Sequence, residues 1–195
     1  MLSRLVQRAM TPEMQSIRLM IMVGLTTIIA VPHCQGGELM NMHITSPAFA
    51  AGGAIPGKYT CEGQDISPPL FFTGIPEAAK SLVLIIDDPD APDPSAPKMT
   101  WVHWLLFNLP AQLETLGEDI QKLPEGTGTG SNDWKRNDYG GPCPPIGRHR
   151  YFFKLYALDT RLDDLKSPDQ PALLQAMQGH VLAQAELIGT YLKQR

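Results

Sequence analysis

Acidic and histidine residues at the ends of apolar segments are the residues of this chain best suited to chemistry. Asp87, Asp88 and Asp90 directly follow Ser81–Ile86, whose branched apolar side chains predict a strand buried on both faces. Four prolines between positions 89 and 97 each fix a backbone angle and remove an amide donor. The acidic segment therefore predicts a stiff pocket wall, and an ordinary Asp-Pro turn is the simpler alternative.

Two further predicted strands each carry a histidine near their start. His103 lies in Thr100–Leu109, and His149 lies in Gly147–Asp159, where two-residue alternation places Tyr151 on the same face as His149. If both strands run antiparallel to Ser81–Ile86, their starts meet the end of that strand at one sheet edge. The alternative is that each histidine is an ordinary, hydrogen-bonded core residue.

This assumption brings together two acids, two imidazoles and a phenol, namely Asp88, Asp90, His103, His149 and Tyr151. Such groups can hold a small anion with an attached cation. Two histidines and an aspartate could instead bind zinc, but no HExxH spacing supports a metal site. A hydrolase would need a nucleophile, and the sequence has no GxSxG motif.

A loop rich in glycine and proline precedes the third strand. Gly140 and Gly141 would let backbone amides approach a ligand closely, and Pro142 and its neighbours would hold the loop in place. Asp65 could also line a pocket, although a turn acid bonded to backbone amides is the simpler interpretation.

The composition favours one domain with a substantial core. The chain has 195 residues, of which 43% are apolar, and a net charge of −4 with no run of basic residues, which argues against nucleic acid binding. Eighteen prolines and seventeen glycines between short apolar runs indicate a strand-rich domain with long structured loops. Beyond Pro171, residues at three- and four-residue spacing predict an amphipathic helix over Pro171–Lys193.

Residues 1–39 have the layout of a secretory signal, with arginines followed by the apolar segment Leu19–Val31. We therefore expect a leader over 1–39 and a domain over 40–195, in a periplasmic or secreted protein. The alternative is a cytoplasmic protein that starts at Met40 or Met42. If Cys34 is lost with the leader, Cys61 and Cys143 remain and could form a disulfide in an exported protein.

Several motifs in this order and spacing resemble the phosphatidylethanolamine-binding protein (PEBP) family. They are DPDAP at Asp88–Pro92, VHW around His103, GGPCPP at Gly140–Pro145 and HRY at His149–Tyr151. The likeness is greatest to the bacterial YbhB/YbcL, or Raf kinase inhibitor-like, branch, and it runs from about Met42 to the C terminus.

The resemblance implies a mainly β fold, an antiparallel β-sandwich with peripheral helices, among which we expect the C-terminal helix. It also implies a small cavity for phosphate-like anions. Motif matching assigns seven residues to its lining: Asp88, Pro92, His103, Gly141, Pro142, His149 and Tyr151. Eukaryotic members are associated with phospholipid headgroups and with restraint of kinases or proteases.

We therefore expect a regulatory protein, not an enzyme, that binds a small phosphorylated or anionic ligand without a cofactor. His103 and His149 would donate to the anion, Tyr151 and the Gly140 and Gly141 amides would complete the cradle, and Asp88 would orient a histidine or meet a ligand ammonium. The alternatives are an inhibitor that binds a protein kinase or protease through surface loops, and a metal-dependent hydrolase. A homodimer is left open.

Overall fold

The computed structural model describes residues 41–163 and 165–194. The leader predicted for residues 1–39 lies outside the described residues. Within them the chain forms eight strands and one α-helix. In chain order these are β1 (His43–Thr45), β2 (Leu70–Thr73), β3 (Ser81–Ala91), β4 (Met99–Pro110), β5 (Thr115–Leu116), β6 (Gly128–Thr129), β7 (Arg148–Leu158), α1 (Gln170–Ala176) and β8 (Val181–Leu192).

The strands form two sheets in which neighbouring strands are antiparallel. One sheet has the order β1-β2-β5 and the other has the order β6-β4-β3-β7-β8. Apolar side chains of both sheets, such as Phe72 of β2 and Leu84 and Phe153 of the large sheet, share one core. A second core on the other face of the large sheet contains Ile85 and Leu173 of α1. The predicted antiparallel, mainly β fold is confirmed.

Strand β3 is longer than the sequence predicts. It continues through the acidic residues to Ala91, and Asp87 and Asp88 pair with Phe152 of β7 and Trp101 of β4. Both neighbours are antiparallel to β3, so their starts lie beside its end. The acids are therefore held by strand pairing, and the turn begins only after them.

An extra residue on β4 changes the direction of the His103 side chain. Ile86 pairs with Trp104 and Asp87 with Val102, so His103 forms a β-bulge. Strict alternation predicts that His103 shares a face with Leu105 and Phe107. Instead, Leu105 and Phe107 lie in the core beneath α1, whereas the His103 ring lies 5.2 Å from that of Tyr151.

The predicted C-terminal helix is wrong beyond Ala176. The helix has seven residues, begins after an Asp169 side chain that accepts from the Ala172 amide at 3.0 Å, and is followed by Gly179 at φ +79°. The chain then forms β8, in which Leu187 and Tyr191 are buried with two-residue periodicity. Val181, which the helical spacing predicts to be buried, is 44% exposed.

A short 3₁₀ turn at Gly57–Tyr59 precedes Cys61. No helix among the described residues has both the length and the apolar character needed to cross a membrane.

A disulfide joins Cys61 and Cys143, whose Cα atoms lie 5.4 Å apart and which are separated by 82 residues in the sequence. Closing a loop of this size restricts the unfolded chain and stabilises the folded state by about 2–4 kcal/mol. The bond also ties the loop that contains Gly140 to the segment that follows the 3₁₀ turn.

We predict that the double variant Cys61→Ser/Cys143→Ser lowers the free energy of unfolding by about 2–4 kcal/mol, because the unfolded chain regains its freedom. Urea denaturation with and without dithiothreitol measures the effect. Reductant should destabilise the wild type and leave the variant unchanged. Equal denaturation midpoints for oxidised and fully reduced wild type, with two titratable thiols in the reduced sample, would contradict the prediction.

Candidate functional site

A cavity of about 340 Å³ lies where β3, β4 and β7 meet the glycine- and proline-rich loop. Its wall consists of Asp88, Ala91, Pro92, Met99, Trp101, His103, Trp134, Cys143, Pro144, Pro145, His149 and Tyr151. Five of the predicted site residues are therefore together, namely Asp88, Pro92, His103, His149 and Tyr151. Two larger depressions, of about 520 and 510 Å³, contain neither a histidine nor a buried polar atom that lacks a partner.

Asp88 and His149 form a buried hydrogen-bonded pair at the base of the cavity. Asp88 Oδ2 lies 2.6 Å from His149 Nδ1, and Asp88 Oδ1 accepts from the Asp90 amide at 2.8 Å. Asp88 is 4% exposed and His149 is 0% exposed. Burial raises the pKa of Asp88, and the hydrogen bond with His149 opposes that effect.

The second nitrogen of His149 is also engaged. His149 Nε2 lies 3.0 Å from the Ile146 carbonyl oxygen, which can only accept, so Nε2 carries a proton. The proton between Nδ1 and Asp88 then belongs to either partner, as an imidazolium beside a carboxylate or as a neutral imidazole beside a carboxylic acid. In both cases no ring N–H of His149 is left to donate to an anion, contrary to the sequence-based expectation.

His103 also differs from its expected role as a donor. Its Nδ1 lies 2.6 Å from the Gly140 carbonyl oxygen, so Nδ1 carries the proton in the neutral ring. Burial lowers the pKa of His103 to about 4, and the neutral ring is the form present at neutral pH. Its Nε2 has no hydrogen-bond partner among the described residues, which leaves an acceptor for a ligand.

Two residues of the cavity wall carry donors that are shielded from solvent and lack partners within the described part of the chain. They are the hydroxyl of Tyr151, a residue only 1% exposed, and the buried indole Nε1 of Trp101. Burial raises the pKa of Tyr151, so its hydroxyl keeps its proton. Trp101 was not among the predicted site residues, although its position two residues before His103 on the same strand was a usable signal.

The glycine loop supports the cavity from outside. The Gly140 amide donates to the His103 carbonyl at 3.2 Å, and the Gly141 amide donates to Asp65 Oδ1 at 2.7 Å. Gly140, Gly141 and Pro142 are not part of the cavity wall. The expectation that the two amides bind a ligand is therefore wrong for this geometry, because both amides are already bonded within the protein. Asp65 is an acid bonded to a backbone amide, which agrees with the simpler interpretation.

The two acids that flank Asp88 have other partners. Asp90 accepts from Arg150, with Nη2 at 2.7 Å from Oδ1 and Nε at 2.9 Å from Oδ2. Asp87 accepts from Lys154 Nζ and Gln170 Nε2, both at 2.7 Å. The cavity wall contains neither lysine nor arginine. Across residues 41–163 and 165–194, no cluster of three or more histidine, cysteine or acidic residues is placed to hold a metal ion.

Comparison with known proteins agrees with this arrangement. The sequence profile of the family described as phosphatidylethanolamine-binding protein matches residues 45–192. The chain belongs to the phosphatidylethanolamine-binding protein family. A UPF0098 protein of Methanothermobacter thermautotrophicus is 49% identical over 153 residues, which cover 77% of this chain and 98% of that protein.

Solved structures of PEBP homologues place the chain in the predicted YbhB/YbcL-like branch. A PEBP homologue from Chlamydia trachomatis is 45% identical with a TM-score of 0.73, over 79% of this chain and 99% of the other. Escherichia coli YbcL is 31% identical with a TM-score of 0.71, over 79% and 99% of the two chains. The PEBP motifs DPDAP, VHW and HRY lie in β3, β4 and β7, at the cavity.

We predict that His103 makes the stability of this PEBP depend on pH. The pKa of His103 falls from 6.5 in the unfolded chain to about 4 in the folded protein. Between these pH values the unfolded chain binds a proton that the folded protein does not, so the folded state loses stability as the pH falls from 6.5 to 4. The full effect is about 3 kcal/mol in the free energy of unfolding. Urea denaturation at several pH values between 7 and 4 measures it.

The matched control is His103→Asn, whose amide can still donate to the Gly140 carbonyl but does not titrate in this range. The loss of stability between pH 6.5 and 4 should be smaller in this variant than in the wild type. Parallel pH profiles for the two proteins would show that His103 is not held neutral by burial.

Proposed function

We propose that this protein binds a small ligand with a phosphate-like oxyacid group in the 340 Å³ cavity and acts as a binding or regulatory protein. The observation that carries the proposal is the wall of this cavity, where Asp88, His103 and Tyr151 meet and one ring nitrogen of His103 has no partner among the described residues. The buried hydroxyl of Tyr151 also lacks a partner there, which costs about 1–3 kcal/mol. A ligand oxygen that reaches this hydroxyl after a small side-chain movement would remove the cost.

The remaining wall supports the same proposal. The buried indole N–H of Trp101 is a second unpartnered donor of a wall residue, so the same movement would let two oxygens of one group, or one shared oxygen, be bound. Apolar side chains such as Pro92, Met99 and Pro144 form much of the rest of the wall. A few polar groups in a mainly apolar cavity of this size are typical of a small-molecule site.

Asp88 and His149 have a supporting role in this proposal. Their mutual hydrogen bond, together with the Ile146 carbonyl and the Asp90 amide, fixes the position of the wall beneath the ligand. A carboxylate has about four lone-pair sites, so Asp88 can still accept from a ligand ammonium. We expected Asp88 either to orient a histidine or to meet a ligand ammonium. Its contacts favour the first role.

The chemistry of the wall favours binding over catalysis. Its cysteine, Cys143, is in a disulfide and offers no thiolate nucleophile. The hydrogen bonds of His149 occupy both ring nitrogens, and His103 has a pKa of about 4, which makes it a weak general base near neutral pH.

We also propose that the protein works in an oxidising compartment, the periplasm or the extracellular space. The support is the disulfide together with the exposure of Cys61, where cellular reductants would reach the bond in the cytosol. The signal-like sequence at 1–39 agrees with this localisation.

Calorimetry with phosphoethanolamine tests the binding function. We predict that Tyr151→Phe weakens binding about tenfold to a hundredfold, which corresponds to the loss of about 1.5–3 kcal/mol for a hydrogen bond to a charged group. The control is Tyr156→Phe on the same strand, because Tyr156 does not line the cavity. It should bind as the wild type does.

Substitution of the supporting pair gives a second test of the site. His149→Ala should also weaken binding, because Asp88 loses its buried partner and the wall shifts. Wild-type affinity in both Tyr151→Phe and His149→Ala would rule out this cavity as the binding site.

A further inference from the structure

The disulfide between Cys61 and Cys143 joins the cavity wall to a neighbouring segment. Cys143 lines the cavity together with Pro144 and Pro145, whereas Cys61 follows the 3₁₀ turn and is not a lining residue. Cys61 is exposed and Cys143 is half-buried. The bond therefore has one end in an exposed residue and the other in the wall of the cavity.

Hydrogen bonds support the same junction but are weaker than the covalent bond. The Cys61 amide donates to the Pro142 carbonyl at 3.2 Å, and the Gly141 amide donates to Asp65 Oδ1 at 2.7 Å. Water competes for both partners of each hydrogen bond, so each contributes only modestly to holding the two segments together. Loss of the disulfide would therefore loosen the junction without abolishing it.

The loop 140–147 also contacts both histidines of the cavity. His103 Nδ1 donates to the Gly140 carbonyl at 2.6 Å, and His149 Nε2 donates to the Ile146 carbonyl at 3.0 Å. Cys143 lies midway between these two contacts in the sequence. A change in the position of Cys143 therefore acts on the loop at a point between the two histidine contacts.

We propose that this disulfide is a redox switch for the cavity, and that its partner is a dithiol protein oxidoreductase. A thiolate of the partner attacks the sulfur of Cys61, forms a mixed disulfide with it and displaces Cys143 as a thiolate. The second thiol of the partner then attacks the mixed disulfide. Two electrons and two protons pass from the partner, whose dithiol becomes a disulfide, to Cys61 and Cys143, which become thiols.

Reduction should weaken ligand binding, because the freed loop adopts the arrangement of the binding-competent wall less often. This effect on binding rests on the proposed function, whereas the effect on the loop does not. By reciprocity, a ligand that prefers the oxidised protein makes the disulfide harder to reduce by the same factor. In an oxidising compartment the bond persists until such a partner reduces it.

A thioredoxin whose second active-site cysteine is replaced by serine traps the first step. We expect a mixed disulfide with the native wild type, and peptide mass spectrometry should locate it at Cys61. The variant Cys61→Ser has no disulfide to attack and should form no adduct. An adduct at Cys143, or no adduct with the native protein when the urea-unfolded protein forms one, would overturn the proposal.

¹⁵N relaxation of the folded protein tests the effect on the loop. We expect the order parameters of the Gly140 and Gly141 amides to fall on reduction with dithiothreitol, while that of Leu155 in β7 stays constant. The variant Cys61→Ser should match the reduced wild type without reductant. Unchanged order of both glycines would overturn the switch, whether or not a ligand binds.

Calorimetry with phosphoethanolamine tests the effect on binding. The affinity should be at least fivefold lower for the reduced wild type and for Cys61→Ser than for the oxidised wild type. Saturating phosphoethanolamine should make the reduction potential more negative by the same factor, which is about 20 mV for a fivefold change. Equal affinities of the oxidised and reduced proteins would overturn the control of binding. Absence of binding by the oxidised wild type would overturn the proposed function, and the relaxation result would then decide the switch alone.

Discussion

The structure depends on a carboxylate, Asp88, that is held almost out of contact with water. A buried charge without a partner costs several kcal/mol, so the chain must bring hydrogen-bond partners to it. Those partners are His149 from β7 and the Asp90 amide from the end of β3, and the Ile146 carbonyl in turn holds the other side of His149. The hydrogen bonds that Asp88 requires thereby fix the end of β3, the start of β7 and the loop before β7.

The distribution of hydrogen bonds divides the polar residues near the cavity into two groups. Asp88, His149, Gly140 and Gly141 have their polar groups bonded within the protein. The groups that keep free capacity are the Tyr151 hydroxyl, the Trp101 indole and one nitrogen of His103. Because a protein rarely leaves buried donors unpaired, these groups are where the proposed ligand would complete the hydrogen bonding.

Much of the fold could be predicted from the sequence, because long apolar segments specify strands and motif order specifies their neighbours. The alternation in β7 correctly placed His149 with Tyr151, since both are buried. The face of His103 could not be predicted, because the β-bulge that redirects it depends on pairing with β3. The C-terminal segment fits the helical and the strand period in part. The helix ends at Ala176, and the chain passes through Gly179, at φ +79°, before β8 begins.

The roles of individual polar groups were less predictable than their positions. Sequence patterns placed Asp88, His103, His149 and Tyr151 at one site, which the cavity contains. They could not show that the Gly141 amide would bind Asp65, 76 residues earlier in the chain, or which histidine nitrogen would face a carbonyl. Such contacts depend on loop positions that only the folded chain defines.

The most direct test of ligand binding at these unpartnered donors is the indole N–H signal of Trp101 in a ¹H–¹⁵N NMR spectrum. Inorganic phosphate at saturating concentration should move this signal downfield, because the indole gains a hydrogen-bond acceptor. The signal of Trp104, which packs against Tyr139 in the core, should move much less. An unchanged Trp101 signal in a sample shown to bind phosphate would contradict the assignment of this cavity as the ligand site.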